Sequence, residues 1–497
     1  MKTPKDGRVQ KRYSILTAAT VVVLWTTLAI VDMAGAETIT HHTSEEVTRT
    51  LSEWVTEVFA KGKNRKKNHV LIVDGDLNVG AADVVIPGNV TIRVESGYRL
   101  KGNSARVTFG NSSFSAPPVR VFEYPDWFSG TGLTEACHGE WFGAIPNDGK
   151  DFGDMGDGIP ISDSVAIQKC LDIFKRWDGL QAATYDIEQS LSVKGSGSLV
   201  FGNGATLTGT GSSNDPVLSV YNSAAPVENV NISDLALVVE RSCPVLHIQK
   251  ASNVNIHGMD IQVMDGTNSV KAVFIRNSSH VSIRNFVFTN DAQVGSNDGV
   301  SYEADGNVDG SPTVNNMLLD TGTVKQFSNE VYISFVNGGT GHSWTFSNMA
   351  FLDMHGQYRS GSSVIKMKKG TISNLNLIGC KSERHWTVFN FEDDPASRNT
   401  PGYINVIGFH AVNPGVLWHN TKTNMYSYWI GSIKCNYTSN IRILDNKPLK
   451  YVISDSNMTT DSMKLMADDF QIVESITITD TIPLPDTPDN LKIPNCN

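Results

Sequence analysis

The chain has 497 residues and a formal net charge of −10. This acidic balance excludes a dedicated nucleic-acid binder, which needs a basic surface. Hydrophobic residues make up 40% of the sequence and charged residues 19%, so there is enough apolar material for a large core, which excludes wholesale disorder. The 42 glycines favour β structure with many turns.

The first 36 residues have the composition of a secretory signal peptide. Basic residues precede an apolar stretch from Ile15 to Val31, and Ala34-Gly35-Ala36 offers a small-residue cleavage site. We therefore predict a secreted, extracellular protein with no stable membrane span after cleavage; the alternative is an uncleaved signal anchor. Export would permit disulfides among the six cysteines, but the sequence does not choose among the fifteen full pairings.

An eight-residue pattern repeats through the middle of the chain. Positions 1, 3, 6 and 8 are apolar, and position 5 is Asp, Gly or Asn. The alternation is typical of strands, and the residue types at position 5 tolerate a left-handed backbone, so the chain should turn a corner there. Six segments follow the pattern and begin at Val230, Val254, Val281, Trp344, Gly370 (the one exception to an apolar position 1) and Ile404.

A second strand is predicted before each of these corners, at residues 217–220, 245–248, 273–275, 331–335, 364–367 and 388–391. The first three segments begin 24 and 27 residues apart. A repeat of this length suits the coil of a solenoid better than a single hairpin. A β-sandwich with coincidental similarity is the alternative.

Two helices are predicted near the N-terminus. Thr43 and Glu46 fit a capping box, and Leu51, Trp54 and Val55 follow at helical spacing. This helix would cover the open end of the solenoid. A second helix is expected to begin near Ser162 or Asp163.

Three segments between residues 140 and 168 resemble the opening motif of the pectate-lyase superfamily. They read Glu-Trp-Phe-Gly-Ala (140–144), Asn-Asp-Gly (147–149) and Asp-Ser-Val-Ala-Ile-Gln (163–168), with an insertion at 150–159 that departs from the family pattern. The resemblance implies an all-β, right-handed parallel β-helix solenoid, the fold of polygalacturonases and phage tail spikes. The predicted divisions are a signal peptide (1–36), an N-terminal cap with the first coils (37–135), the β-helix (136–454) and a C-terminal cap with an extended tail (455–497).

Ionisable residues concentrate in two neighbouring edge loops and the strand between them. We predict that His355, Arg359, Lys366, Arg384 and His385 are catalytic, and that Asp353, Tyr358, Lys381, Glu383 and Trp386 bind substrate. Cations would neutralise a sugar carboxylate while a Lys, Arg or His removes the C5 proton. This set favours a lyase that cleaves a uronate polysaccharide by β-elimination. A solvated salt-bridge network is the alternative.

Two further functions stay open at this stage. Asn297-Asp298-Gly299, Gly341-His342-Ser343 and Ile365-Lys366 echo the polygalacturonase pattern, but the Asp-Asp pair of that pattern is missing. A non-catalytic, glycan-binding adhesive β-helix is the other alternative. In each case the expected partner is a polysaccharide, and the sequence does not indicate an oligomeric state.

Residues 289–330 are predicted to form an acidic insertion that holds a calcium loop. Asp305, Asn307 and Asp309 alternate and Gly310 stands at position 6, as a tight turn around Ca²⁺ requires. Position 12 is Asn316, so Asp320 would supply the missing ligand. The alternative is an ordinary Asp/Gly turn.

Overall fold

The computed structural model describes most of the chain up to residue 391 and short strands beyond it. The described ranges are 38–44, 49–60, 66–102, 105–153, 160–210, 214–240, 242–264, 269–291, 297–308, 310–352, 363–369, 371–383 and 387–391, followed by the backbone of eight strands between 403 and 473. These residues are almost entirely β, with two α-helices. Within them, neither helix is long and apolar enough to cross a membrane.

The N-terminal part alternates short strands with one helix. Its elements are β1 (Thr38–His42), α1 (Leu51–Ala60), β2 (Asn68–Val73), β3 (Leu77–Asn78), β4 (Val84–Ile86), β5 (Val90–Val94), β6 (Leu100–Lys101), β7 (Val107–Ser115) and β8 (Phe128–Leu133). Six of the strands form a parallel sheet in the order β1-β2-β5-β7-β4, with β8 also on β7.

A short hairpin and a helix connect this part to the long sheets. They are β9 (Phe152–Gly153), β10 (Ile161–Ser162) and α2 (Asp163–Phe174). The strands that follow are β11 (Arg176–Asp178), β12 (Thr184–Ile187), β13 (Leu191–Val193), β14 (Leu199–Gly209), β15 (Leu218–Val220), β16 (Val227–Val239), β17 (Leu246–Gln249), β18 (Ala251–Val263), β19 (Lys271–Arg276), β20 (Ser279–Asn290), β21 (Asp298–Asp305), β22 (Thr313–Lys325), β23 (Asn329–Val336), β24 (Thr340–His342), β25 (Trp344–Ser347), β26 (Ala350–Leu352), β27 (Ser363–Lys369), β28 (Thr371–Ile372), β29 (Asn374–Ile378), β30 (Lys381–Glu383), β31 (Thr387–Phe391), β32 (Tyr403–Ile407), β33 (His410–Val412), β34 (Trp418–Asn420), β35 (Met425–Ser427), β36 (Ser432–Lys434), β37 (Asn440–Leu444), β38 (Val452–Ile453) and β39 (Ile472–Val473).

Two long parallel sheets form the body of the molecule. The ten-stranded sheet runs β13-β15-β17-β19-β21-β23-β27-β31-β36-β38, and a seventeen-stranded sheet runs from β11 to β39. Each strand pairs with its equivalent one coil later, so buried residues stack along the core in one row: Val200, Ile232, Ile256, Ile283, Leu319 and Phe346. This topology confirms a parallel β-helix. Its handedness remains a prediction from the family resemblance.

The predicted corners are present in four of the six repeats as left-handed residues. Asp234, Gly258, Asn285 and Asn348 have φ between 51° and 64°. The placement of the fifth repeat was wrong by five residues. Trp344 pairs with Leu375 rather than Gly370, and the corner of that coil is Gly379 (φ 61°), because the pattern fits a second Leu-x-Leu run equally well.

The predicted insertion at 289–330 was also wrong, since this segment contains a whole coil. Strand β21 extends the ten-stranded sheet, and β22 pairs with β20 in full register. Its corner is Thr321 (φ 53°) and its position 6 is Gly322, so the residue types hid the repeat. A Cβ on Gly322 would lie 2.4 Å from the ring of Phe286 in the coil before. Phe286 therefore fills the space that an apolar side chain occupies elsewhere.

Helix α1 begins later than predicted. The amide of Thr50 donates to Glu53 Oε2 (2.9 Å) and the amide of Glu53 donates to Thr50 Oγ1 (3.2 Å), which is a capping box. The box expected at Thr43 is wrong, because the Thr43 hydroxyl is buried and donates to Asp74 Oδ1 (3.1 Å). Leu51 and Trp54 of α1 are buried in the core; the role of α1 as an end cap stays a prediction.

Helix α2 begins where the opening motif predicts. Ser162 is its N-cap and accepts a hydrogen bond from the amide of Val165. Asp163 Oδ1 accepts from the amide of Ile145 (2.8 Å), so the carboxyl group ties the helix to the chain after the Trp-Phe-Gly-Ala segment. Burial raises the pKa of Asp163 to about 8. These contacts give the motif a role in holding the first coil together.

Candidate functional site

Two of the predicted catalytic and substrate-binding residues have described side chains, Lys366 and Lys381. The others lie outside the described residues, except that β30 includes the backbone of Glu383; they are Asp353, His355, Tyr358, Arg359, Arg384, His385 and Trp386. The predicted convergence of the two edge loops is therefore untested and stays a prediction.

The outward direction of Lys366 is confirmed. Ile365 and Met367 on either side are fully buried, whereas Lys366 is only partly buried on the outer face of β27. Lys381 lies in β30, which belongs to the seventeen-stranded sheet. The two lysines are thus carried by different sheets.

Other ionisable residues gather on the outer face of the ten-stranded sheet and at the adjoining strand starts, two to four coils before Lys366. We call this set the outer-face cluster; its members are His247 of β17, Lys271, Phe274 and Arg276 of β19, and Asp298 and Glu303 of β21. Three pairs of them are register partners, and these are His247 with Phe274, Lys271 with Asp298, and Arg276 with Glu303. Parallel pairing therefore stacks the cluster across three consecutive coils.

The ring of Phe274 organises the cations. The His247 ring stacks on it with centroids 4.9 Å apart and an interplanar angle of 11°. Lys271 Nζ lies 3.8 Å from the Phe274 centroid and Arg276 Cζ 5.2 Å from it, both within the range of a cation–π contact. Arg276 Nη2 also forms an ion pair with Glu303 Oε1. An aromatic ring thus positions two positive charges at the surface of the sheet.

Asp298 lies at the base of the cluster and is 8% exposed. Its Oδ1 accepts a hydrogen bond from Asn329 Nδ2 (2.8 Å), and its Oδ2 accepts one from the Ser301 hydroxyl (3.3 Å). Burial raises the pKa of Asp298 to about 6, against the opposing effects of those hydrogen bonds and of the charges of Lys271 and Lys366. Lys366 is therefore electrostatically coupled to the cluster.

Burial changes the basic groups in the opposite direction. It lowers the pKa of Lys271, although Glu303 and Asp298 partly offset the effect. It lowers the pKa of His247 to about 4, assisted by the charges of Arg276 and Lys271, so this imidazole is neutral at pH 7. Sites of general acid–base catalysis commonly contain carboxyl and amine groups whose pKa values are shifted in this way.

Two of the three segments that echo polygalacturonase come together in the structure. Asp298 of β21 and Lys366 of β27 belong to the ten-stranded sheet, two coils apart, and the charge of Lys366 lowers the pKa of Asp298. His342 does not join them, because it lies in β24 of the seventeen-stranded sheet, where its Nδ1 is 2.7 Å from the Ser373 hydroxyl.

Sequence reasoning missed the outer-face cluster because it searched loops, whereas these residues lie on strands. A signal was present. Charged residues at Arg276 and Glu303 occupy outward positions of strands whose inward residues are apolar. A charge at an outward position in consecutive coils marks one surface of the stack.

The described residues of the predicted calcium loop do not converge. Asp305 Oδ1 accepts from the amide of Asn307 (2.9 Å) and from Asn337 Nδ2 (2.7 Å). Asp320 lies in the other long sheet and binds the Ser347 hydroxyl (2.7 Å). Asp309 is outside the described residues. Among the residues that are described, no group of three or more His, Cys, Asp or Glu is placed to hold a metal ion; calcium binding stays a prediction.

The fold is similar to that of several solved surface and tail proteins. The enzymatically active domain of bacteriophage CBA120 tailspike protein 2 matches with a TM-score of 0.32 and 10% identity over 64% of this chain and 47% of that one. A tailspike mutant of E. coli bacteriophage HK620, in complex with a pentasaccharide, matches with a TM-score of 0.34 and 9% identity, over 82% of this chain and 73% of that one. The Streptococcus pneumoniae surface protein and adhesin PfbA matches with a TM-score of 0.31 and 11% identity, over 64% of this chain and 96% of that one. The chain thus spans about half the length of the CBA120 domain.

These likenesses concern the parallel β-helix alone. No protein-family model matches the sequence. No curated protein matches it either.

Proposed function

We propose that the outer-face cluster binds an acidic polysaccharide and cleaves it by β-elimination. The observation that carries this proposal is the juxtaposition on one sheet face of two cations held by Phe274 and a nearly buried carboxyl group, Asp298. Neutral sugars need no such positive surface, whereas a uronate carboxylate requires a cationic partner when it leaves water.

Each group has a role in this reaction. Arg276 and Lys366 would neutralise the uronate carboxylate, which acidifies the proton on C5. Lys271 would act in its neutral form, which burial favours by lowering its pKa, and would take that proton, while Arg276 and Lys366 keep their positive charges. The protonated carboxyl of Asp298 would give a proton to the O4 leaving group as the C4–O4 bond breaks. The product is a C4–C5 double bond and a new chain end, and all protons are accounted for.

Hydrolysis is the second candidate, because the cluster also contains two carboxyl groups, Asp298 and Glu303. Inverting glycosidases use one protonated carboxyl group as the acid and one carboxylate as the base. Asp298, whose pKa is raised by burial to about 6, would then be the acid, and Glu303, which pairs with Arg276, would be the base.

A polysaccharide panel separates these reactions. The full chain is incubated with uronate polymers, and unsaturated uronates are read by absorbance beside an assay for reducing ends. Elimination gives both signals and hydrolysis gives reducing ends alone. If the protein binds a polymer but releases neither product, it is a glycan-binding surface protein and the catalytic proposal fails.

Arginines on the two long sheets provide a matched control. Arg276→Ala removes a cation of the cluster, whereas Arg284→Ala removes an exposed arginine from β20 in the other sheet. We expect Arg276→Ala to lower turnover by roughly 100-fold, the usual cost of one lost transition-state contact. Equal effects of the two substitutions would place the site elsewhere.

Export is part of the proposal, since a polysaccharide of this kind is an extracellular substrate. The predicted leader, residues 1–36, lies outside the described residues. N-terminal sequencing of protein recovered from the medium should begin at Glu37. An N-terminus at Met1 would show that the leader is retained.

A further inference from the structure

A buried asparagine contacts the carboxyl group at the base of the outer-face cluster. Asn329 and Asp298 are register partners at the starts of β23 and β21. Asn329 is 9% exposed, and its Nδ2 donates a hydrogen bond to Asp298 Oδ1 over 2.8 Å. Because Asn329 is buried, it can act on the surface of the sheet only through Asp298.

The backbone holds these two residues side by side. The amide of Asp298 donates to the carbonyl of Val270 in the coil before (2.8 Å). The amide of Ser328 donates to the carbonyl of Asn297 (2.8 Å), so the residues that precede the pair are also tied together across coils. The contact between the two side chains is therefore fixed by the parallel register.

The other end of the Asn329 amide group is not hydrogen-bonded. Its Oδ1 is buried, and none of the residues that the structure describes donates a hydrogen bond to it. Burial of an amide oxygen without a donor costs free energy, and a leucine of similar size would avoid this cost. The hydrogen bond to Asp298 is thus the one property of Asn329 seen in the described residues that an apolar side chain could not supply.

We propose that Asn329 is a positioning residue that confines the acidic proton of Asp298 to Oδ2. A protonated carboxyl group carries its proton on one oxygen, and the other oxygen remains an acceptor. Since Nδ2 of Asn329 donates to Oδ1, the proton belongs on Oδ2. The catalytic consequence of this placement rests on the proposed function, in which Asp298 is the acid.

The oxygen that keeps the proton lies on the side of the cations. Oδ2 of Asp298 is 3.3 Å from the Ser301 hydroxyl, and Ser301 is the register partner of Phe274. A hydroxyl group can rotate and accept as well as donate, so Ser301 can hold a proton on Oδ2. The proton is thereby kept beside the ring that positions Lys271 and Arg276.

The same hydrogen bond also favours the ionised form of Asp298. Burial raises the pKa of Asp298, whereas the hydrogen bond from Asn329 and the charges of Lys271 and Lys366 oppose the rise. Loss of the Asn329 donor should therefore raise this pKa further, by about one pH unit for a hydrogen bond to a charged group. This shift can be measured without any substrate.

The variant Asn329→Leu removes the donor and keeps the size of the side chain. The full chain is labelled with ¹³C at its aspartate carboxyl carbons, and NMR follows the Asp298 signal through a pH titration; Asp298→Asn identifies that signal by its loss. We expect the pKa of Asp298 to rise by about one pH unit in Asn329→Leu. Asn255→Leu, at an exposed position of β18 in the other long sheet, should leave it unchanged.

An unchanged pKa of Asp298 in folded Asn329→Leu would overturn the inference. A thermal melt checks that the variant is folded. If Asn329→Leu does not fold, Asn329→Val makes the same test, because valine also lacks a donor and suits a strand.

The pH dependence of turnover separates this inference from the proposed function. An acid acts in its protonated form, so activity should fall as pH rises through the pKa of Asp298. In Asn329→Leu this fall should occur about one pH unit higher, and kcat at the optimum should decrease with KM unchanged, because Asn329 does not touch the substrate.

The two proposals fail in different ways. If wild type cleaves a polymer and Asn329→Leu shows the same pH dependence and the same kcat, the inference is overturned and the proposed function stands. If wild type cleaves no polymer although Asn329→Leu raises the pKa of Asp298, the proposed function fails and the control of the Asp298 proton by Asn329 is supported.

Discussion

The outer faces of the two long sheets use the same strand geometry in different ways. On the seventeen-stranded sheet, exposed polar residues pair across coils. Asn285 Nδ2 donates to His257 Nε2 (2.6 Å), and Asn316 Nδ2 donates to His280 Nε2 (2.9 Å). On the ten-stranded sheet, charged groups lie partly buried against Phe274. Both faces carry ionisable residues, but only the second removes several of them from water together.

The difference between the two faces indicates that partly buried charged groups are a better sign of a functional site than exposed ones. Side chains that stay in water keep their solvation and exchange hydrogen bonds at little net gain. Partly buried charges cost free energy unless they are paired, and that cost is tolerated where it prepares chemistry. The contrast between the two faces can be tested by substitutions that separate activity from stability.

The largest effect is expected from Asp298→Asn. It keeps the shape of the side chain but removes the acid, so turnover should fall at least ~100-fold, about 3 kcal/mol in the barrier. Initial rates on a uronate polymer measure this, and a thermal melt checks folding. Asp260→Asn, an exposed position on β18 of the other sheet, is the control. Unchanged turnover in Asp298→Asn would remove Asp298 from the proposed site.

The pH dependence of stability should show the same carboxyl group. An unfolded Asp loses its proton near pH 4, whereas folded Asp298 keeps its proton to about 6. Between these values the folded state binds more protons, so the free energy of unfolding falls as pH rises and levels off above pH 6. The contribution is roughly 2–3 kcal/mol. Urea titrations at several pH values should show that the free energy of unfolding falls between about pH 4 and 6 more steeply in wild type than in Asp298→Asn. The same pH dependence in both proteins would contradict the raised pKa.

A substitution behind the seventeen-stranded face should reduce stability and leave turnover alone. Gly322→Val would bring new atoms against the ring of Phe286. Overpacking of this kind costs about 1–3 kcal/mol. Chemical denaturation measures the loss, and Gly322→Val combined with Phe286→Ala should recover part of it. If Gly322→Val is fully stable, the complementarity between these two coils is not needed.

The smallest effect concerns the unusual corner at Thr321. Its left-handed backbone is unfavourable for a β-branched residue, and other coils place Asn, Asp or Gly there. Thr321→Asn should raise the free energy of unfolding by about 0.5–1 kcal/mol. Thr323→Asn, on the extended strand that follows, should give no gain. A gain from both, or from neither, would mean that corner strain is not the cause.

Much of the fold was predictable because the repeats carry two signals at once. Apolar alternation marks the strands, and Asp234, Gly258 or Asn285 marks the turn between them. The coil with Thr321 and Gly322 was missed, because Thr at the corner and Gly at the apolar position 6 both depart from the pattern. The fifth corner was displaced because the eight-residue pattern fits both 370–377 and 375–382 with one exception each, Gly370 and Ser382.

The site was harder to predict for a physical reason. Sequence shows which residues are charged, but a displaced pKa depends on what covers the group. Lys366 was found from its alternation with Ile365 and Met367. Asp298 was noted only as part of a motif, and nothing in its neighbours reveals that Asn329 and Ser301 would enclose it. Part of this enclosure comes from Asn329, which lies one coil away.

The parallel register has a mechanical consequence. Hydrogen bonds between neighbouring strands run along the axis of the solenoid, and each coil bonds to the coil before it and the coil after it. Tension along that axis therefore loads the ladders in series, so the weakest junction between two coils sets the force at which the stack parts. A load applied across the axis is instead shared by many coils in parallel. The same molecule should be compliant in one direction and stiff in the other.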